Sequence, residues 1–183
     1  VGIRANGVAD IRAIRKITSL PILGINKWRQ AHWPVYITPN LQAARSVRQA
    51  GADIIAIDAT HRPRRSGTSP EALIDAIHSH LGCPVMADID SLEEGIAAAR
   101  AGADLVATTL SGYTERGLTT PGPDLALVRM LAQAVAVPVI CEGRIWSPQD
   151  VSVAFEAGAY AVVVGTAITN PMEITRRFAA GIP

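Results

Sequence analysis

Ala50-Gly51-Ala52-Asp53-Ile54-Ile55-Ala56-Ile57 decides how this chain is read. It returns as Ala101-Gly102-Ala103-Asp104-Leu105-Val106-Ala107 and again as Ala157-Gly158-Ala159-Tyr160-Ala161-Val162-Val163-Val164, with the glycines 51 and 56 residues apart. In each copy a helix-compatible stretch ends at a glycine, which accepts a left-handed C-cap, and an apolar run of strand length follows. Between the copies lies a second strand signal, proline ahead of a short apolar run: Leu20-Pro21-Ile22-Leu23-Gly24-Ile25, Cys83-Pro84-Val85-Met86 and Val137-Pro138-Val139-Ile140. Proline suits a strand entrance because the ladder has not begun there and no donor is missed. With a further strand over Val1 to Ala5, seven strands alternate strictly with helical stretches.

Helix starts are also legible. Thr38-Pro39, Ser69-Pro70, Ser147-Pro148 and Asn170-Pro171 each pair an N-cap residue with proline at the first helical position, and Ser91-Leu92-Glu93-Glu94 reads as a capping box. A closed parallel barrel needs eight βα units and usually ~200 to 250 residues. The chain has 183. Its last strand is followed by a closing helix over Pro171 to Phe178, so the expectation is a (β/α)8 TIM barrel, α/β in class, with the first β/α unit missing. Residues 1–183 then form one domain carrying strands two to eight. The alternative, an open doubly wound sheet, should carry a Gly-rich fingerprint after its first strand, where Arg4-Ala5-Asn6-Gly7 stands instead.

Composition agrees with buried parallel strands under small-residue helices: 49% of residues are apolar and only 4% aromatic. A formal net charge of +1 offers no electrostatic case for nucleic acid or a membrane surface. The basic cluster Arg62, Arg64 and Arg65 reads as a solvated loop. Cys83 and Cys141 lack metal-binding or disulfide spacing, and His32, His61, His78 and His80 are too scattered for a metal site. No export signal or apolar run of membrane-spanning length is visible, which places the protein in the cytoplasm. No metal site is expected.

In a barrel the chemistry gathers where strands end. Those ends are polar: Arg4, Asn26-Lys27, Asp58 with Thr60, Asp88, Thr108-Thr109, Glu142-Gly143-Arg144 and Gly165-Thr166. Any one of these reads equally well as a loop charge or a helix cap. Arg4, Lys27, Asp88 and Glu142 together over one mouth would be costly unless they met a polar ligand. Gly143 and Arg144, with Gly165 and Thr166, occupy the last two strand ends, where free backbone N–H groups and a helix N-terminus suit a phosphate.

Several stretches resemble the N-acetylmannosamine-6-phosphate 2-epimerase family. They are Gly2-Ile3-Arg4-Ala5-Asn6-Gly7, Tyr36-Ile37-Thr38-Pro39, Ala52 to Thr60, Met86-Ala87-Asp88-Ile89, Thr108-Thr109-Leu110-Ser111-Gly112-Tyr113-Thr114, Glu142-Gly143-Arg144-Ile145 and Val163 to Thr169. The resemblance implies inversion at C2 of an N-acetylated hexosamine 6-phosphate, converting the manno to the gluco form in amino-sugar and sialic acid catabolism, without a cofactor. It makes Lys27 the catalytic lysine and Glu142 the catalytic carboxylate. Arg4, Asp88 and Thr109 become substrate contacts, with phosphate on Gly143, Arg144, Gly165 and Thr166. A lysine base must shed its proton, which burial beside a cation such as Arg4 would favour. Relatives place arginine where Asn170 stands, and Asn170 looks like a helix N-cap.

Two rivals stand beside this reading. One is another phosphate-binding barrel enzyme, thiamine-phosphate or thiazole synthase-like, and the other a non-catalytic sugar-phosphate-binding fragment. The expected partner is a small-molecule sugar phosphate, with a homodimer possible through exposed sheet edges.

Overall fold

The computed structural model describes residues 2–29, 31–115 and 121–182. Val1, expected to open the first strand, lies outside them. Seven parallel strands run in the order β1 (Ile3–Asn6), β2 (Ile22–Ile25), β3 (Ile54–Asp58), β4 (Val85–Asp88), β5 (Leu105–Ala107), β6 (Val139–Glu142) and β7 (Ala161–Val163). Spatial order equals chain order, so there is no switch point of the kind a doubly wound sheet contains. The helices are α1 (Val8–Arg15), α2 (Leu41–Ala50), α3 (Pro70–Leu81), α4 (Leu92–Arg100), α5 (Leu125–Ala134), α6 (Pro148–Glu156), the single turn α7 (Thr166–Thr169) and α8 (Pro171–Ala179).

The sheet is curled almost into a cylinder. In a flat sheet β1 and β6 would lie on the order of 24 Å apart, at ~4.8 Å per strand. Yet Arg4 Nη1 on β1 is 2.7 Å from Glu142 Oε2 on β6. Seven strands thus nearly close a barrel one unit short of eight.

Alternation along each strand separates two cores. Ile22, Ile55, Ile57, Val85 and Val106 face outward against Ile11, Val47, Ile74 and Leu131 of the helices. Ile25, Ala56, Met86, Ala107 and Ile140 fill the interior, joined by Ile37 and Leu110 from the connections above. Side chains such as Ile55 and Met86 are fully buried, a contribution of about 1.5–3 kcal/mol each.

The repeat that announced the fold has a structural cause. Gly51, Gly102 and Gly158 all adopt positive φ just after a helix. The residue two positions on donates its N–H to the strand before: Asp53 to Ile22, Asp104 to Val85 and Tyr160 to Val139. Aspartate also answers the bond, since Asp53 Oδ2 accepts from Ile22 N at 2.8 Å and Asp104 Oδ2 from Val85 N at 2.8 Å. Arg15 and His78 hold these two carboxylates from outside. Removing one clasp leaves a strand-entrance donor unanswered, so Asp104→Ala should cost about 1–2 kcal/mol. Thermal unfolding would then fall by ~2–8 °C, and an unchanged midpoint would show that the clasp is ornamental.

Three of the four expected helix starts stand. Ser69, Ser147 and Asn170 each cap a helix that begins with proline, and Ser147 forms a full capping box with Asp150. Thr38-Pro39 does not start a helix. Asn40 caps α2 instead, accepting from Ala43 N, while Thr38 takes φ 42 and accepts from Asn26 N. At Ser91 only half of the expected box forms, because the Glu94 carboxylate turns to Asp90 N and His61 N. The basic loop after β3 is solvated at Arg65, as expected, but not at its other two arginines. Arg64 is buried, with Nη2 donating to the carbonyls of Asp58 and Thr60, and Arg62 pairs with the Asp58 carboxylate. Carbonyls at a strand end that no ladder satisfies draw guanidinium groups inward.

Candidate active site

The inward face of each strand ends at the same rim of the barrel, so residues remote in sequence meet there. Arg4, Lys27, Thr109, Glu142, Gly143, Arg144, Gly165 and Thr166 all line one cavity of about 270 Å³. Asp88 is the one expected site residue outside that lining. It is fully buried just below.

Arg4 organises the floor. Its Nη1 reaches Asp88 Oδ1 at 3.0 Å and Glu142 Oε2 at 2.7 Å, while Nη2 reaches Asp88 Oδ2 at 2.5 Å. A planar guanidinium can fork onto one carboxylate and still bridge to another, which an ammonium cannot do with fixed direction. Thr109 Oγ1 adds a bond to Asp88 Oδ1 at 2.7 Å. Burial opposes the charge on Arg4, but Asp88 and Glu142 outweigh it and hold the guanidinium firmly protonated. Arg4 and Asp88, expected to touch sugar, direct these polar atoms at each other.

Glu142 sits at a different balance. Burial pushes its carboxyl up to about 7; Arg4 pulls it down, Asp88 raises it further, and Thr109 and Lys27 lower it. A carboxyl half protonated near neutrality can give or take a proton, the condition for general acid–base work. Because glutamate ordinarily titrates near 4.5, the folded protein holds more protons than the unfolded chain up to about pH 7. Stability of the free protein should therefore fall as pH rises through that window, with the penalty absent below it and complete above. Glu142→Gln should flatten this slope in unfolding measurements. It should also remove the inflection near pH 7 from the kcat/KM profile. A slope and inflection that survive would assign them to another group.

Lys27 extends β2 over the rim. Its backbone is fixed on two sides, because Lys27 N donates to Asn6 Oδ1 at 2.9 Å and the residue forms an antiparallel bridge with Ile37. Thr38 completes the brace through Asn26. The side chain is exposed at the mouth, so the expected burial beside Arg4 is not found. That cation is already compensated by two carboxylates.

At the far side of the cavity, Gly143 takes φ 106 and Arg144 φ 57. Gly165 caps α7, whose first N–H groups have no carbonyl within the helix to meet. A Cβ at Gly165 would point into open space. Arg144 turns its guanidinium to protein carbonyls, donating to Gly122 O and Ser111 O. Asp58 and Thr60 are occupied by Arg62 and by each other.

Three aromatic residues of the lining, Tyr36, Tyr113 and Trp146, were given no role from the sequence, although Tyr36 and Tyr113 fall within the stretches that carry the family resemblance. Each stands just beyond a strand end or brace, so position relative to the strand could have marked them. Aromatic character alone could not. Among the described residues no group of three or more His, Cys, Asp or Glu could hold a metal ion, and no helix is long and apolar enough to cross a membrane.

A family model described as "NanE: Putative N-acetylmannosamine-6-phosphate epimerase" matches residues 1–183. A protein of Caldanaerobacter subterraneus subsp. tengcongensis, named "Putative N-acetylmannosamine-6-phosphate 2-epimerase", is 52% identical over 179 residues, covering 97% of this chain and 76% of that one. A similarly named protein of Clostridium perfringens is 46% identical over 176 residues, covering 96% and 79%. The solved N-acetylmannosamine-6-phosphate 2-epimerase of Clostridium perfringens superposes with a TM-score of 0.95 at 44% identity, covering 99% of this chain and 79% of that one. FabK from Thermotoga maritima, 22% identical with a TM-score of 0.61, shares the fold alone.

Proposed function

The chain belongs to the N-acetylmannosamine-6-phosphate epimerase family, and from that premise we infer that it inverts C2 of N-acetylmannosamine 6-phosphate to give N-acetylglucosamine 6-phosphate. It is a carbohydrate epimerase of amino-sugar and sialic acid catabolism, and its substrate is a sugar phosphate. The observation that carries the chemistry is one cavity lined by an amine and a carboxyl that titrates near neutrality, Lys27 and Glu142.

In the ring-opened sugar the C2 hydrogen lies α to the C1 aldehyde and is acidic enough for a positioned base. Lys27, presented free at the mouth, is the base that takes it. The C2–H electron pair forms the C1=C2 double bond as the carbonyl π pair moves onto the aldehyde oxygen, and reprotonation of this enolate on the opposite face of C2 restores the aldehyde and completes the inversion. Glu142 supplies the acid for ring opening or for the second half of the epimerisation. Arg4 and Asp88 hold Glu142 in place, and Thr109 fastens Asp88 from the wall. Gly143, Gly165 and Thr166 offer backbone donors to the phosphate, with Arg144 beside them.

The same proposal treats residues 1–183 as one barrel domain. It places the protein in the cytoplasm, where a phosphorylated sugar is retained by its charge. Exposed Ile168, Met172 and Phe178 around α7 and α8 support a homodimer.

Epimerisation in deuterium oxide tests the function. Substrate and product should gain deuterium at C2 alone. Binding of the sugar phosphate without exchange would make the chain a sugar-phosphate binder and end the enzymatic reading.

A further inference from the structure

We propose that Arg144 is a positioning residue that holds Tyr113 as a wall of the sugar pocket, and that it is not a ligand of the phosphate. The proposal rests on the epimerase reading of this cavity and changes the part Arg144 plays in it. Arg144 Nε donates to Gly122 O at 2.8 Å and Nη1 to Ser111 O at 2.6 Å. Ser111 follows the β5 exit and Gly122 stands just ahead of Asp124, the cap of α5, so one guanidinium ties both ends of that connection together. Ser111 Oγ reinforces the tie by donating to Asp124 Oδ2 at 2.7 Å.

Two bonds in different directions fix the guanidinium, and its Cζ lies 5.3 Å from the centre of the Tyr113 ring. The other side of the ring's setting is Gly143, where Tyr113 Cε2 would stand 3.5 Å from an added Cβ. Tyr113 is nevertheless 58% exposed while lining the cavity that holds Lys27 and Glu142. An aromatic face held rigid and left open to a polar cavity is a seat for polarised C–H groups, those of the sugar or of its N-acetyl methyl. The left-handed backbone at Arg144, unfavourable for a residue with a Cβ, is maintained by these contacts. The Arg144 Nε–H and one Nη1–H are thereby directed to protein carbonyls rather than to an anion.

Steady-state kinetics and phosphate titrations of Arg144→Met, Tyr113→Ala and the double variant test this. Arg144→Met is expected to raise KM for N-acetylmannosamine 6-phosphate about tenfold, with the loss in KM more than in kcat. Its Kd for inorganic phosphate should stay within about twofold, and the double variant should be no worse than Tyr113→Ala, because the strap acts through the ring. Arg144→Lys, which can reach one carbonyl but not both, should restore part of the KM. Phosphate affinity lost in Arg144→Met and kept in Tyr113→Ala would overturn the proposal, as would additive losses in KM. Should Arg144→Met fail to fold, Tyr113→Ala decides: raised KM with phosphate affinity intact supports the wall, and unchanged KM overturns it. Absence of C2 deuterium exchange in the unsubstituted protein is a separate failure, that of the epimerase reading.

Discussion

Lys27→Ala is expected to lower turnover about a thousandfold, within the range that a single positioned proton carrier supplies, and to abolish C2 deuterium exchange. The chain has two lysines. The other, Lys16, caps the end of α1 ahead of the entrance of β2, at the opposite end of the strands. No second amine stands ready at the cavity among the described residues. Because the Lys27 side chain is exposed and makes none of the bonds that hold the rim, the variant should fold with stability changed by less than about 0.5 kcal/mol. Lys27→Arg sharpens the result. Arginine keeps the positive charge but does not give up a proton at any working pH, so it should be nearly as slow as alanine. Turnover retained by Lys27→Arg would mean that the lysine serves only as a charge, and the base would have to be sought elsewhere.

Arg4→Met should be the most damaging change to the structure of the site. The guanidinium compensates two carboxylates at once, and among the described residues Asp88 bonds to no other cation. Removing it leaves buried negative charge unpaired, which costs about 3–5 kcal/mol where one partner of a buried pair is deleted. Urea unfolding should show that loss at neutral pH and less of it in acid, where Glu142 takes up a proton. Adding Asp88→Asn to Arg4→Met should recover part of the stability, since the amide no longer needs a counter-charge. It should recover none of the turnover. If Arg4→Met unfolds at the same urea concentration as the unsubstituted protein, Arg4 is no keystone and its contact with sugar becomes the better account.

The legible parts of the fold were those written locally. Glycine at a helix end, proline at a strand entrance and serine or asparagine before proline each impose a backbone conformation within a few residues. Ser69, Ser147 and Asn170 therefore cap helices as the sequence suggests. Thr38-Pro39 misled because the competition was decided at a distance. Asn40 offered α2 a better cap, and Thr38 was drawn into the brace beneath Lys27 by Asn26. Arg64 misled for the same kind of reason, because a strand end only four to six residues away offered bare carbonyls.

By itself the sequence determined the alternation of strands and helices, the end of each strand that carries polar residues, and the face on which they point. Those follow from periodicity and capping, which act between near neighbours. It also placed Arg4, Lys27, Thr109, Glu142, Gly143, Arg144, Gly165 and Thr166 on one rim, and the cavity contains them all. Only the tertiary structure decided who pairs with whom across that rim. Curling the sheet brings β1 against β4 and β6, so Arg4 is spent on Asp88 and Glu142, Glu142 is pushed toward neutrality, and Arg144 fastens Tyr113. Electrostatic partners are chosen by distance through space, and distance between strand ends is set by barrel closure, which no stretch of residues encodes alone.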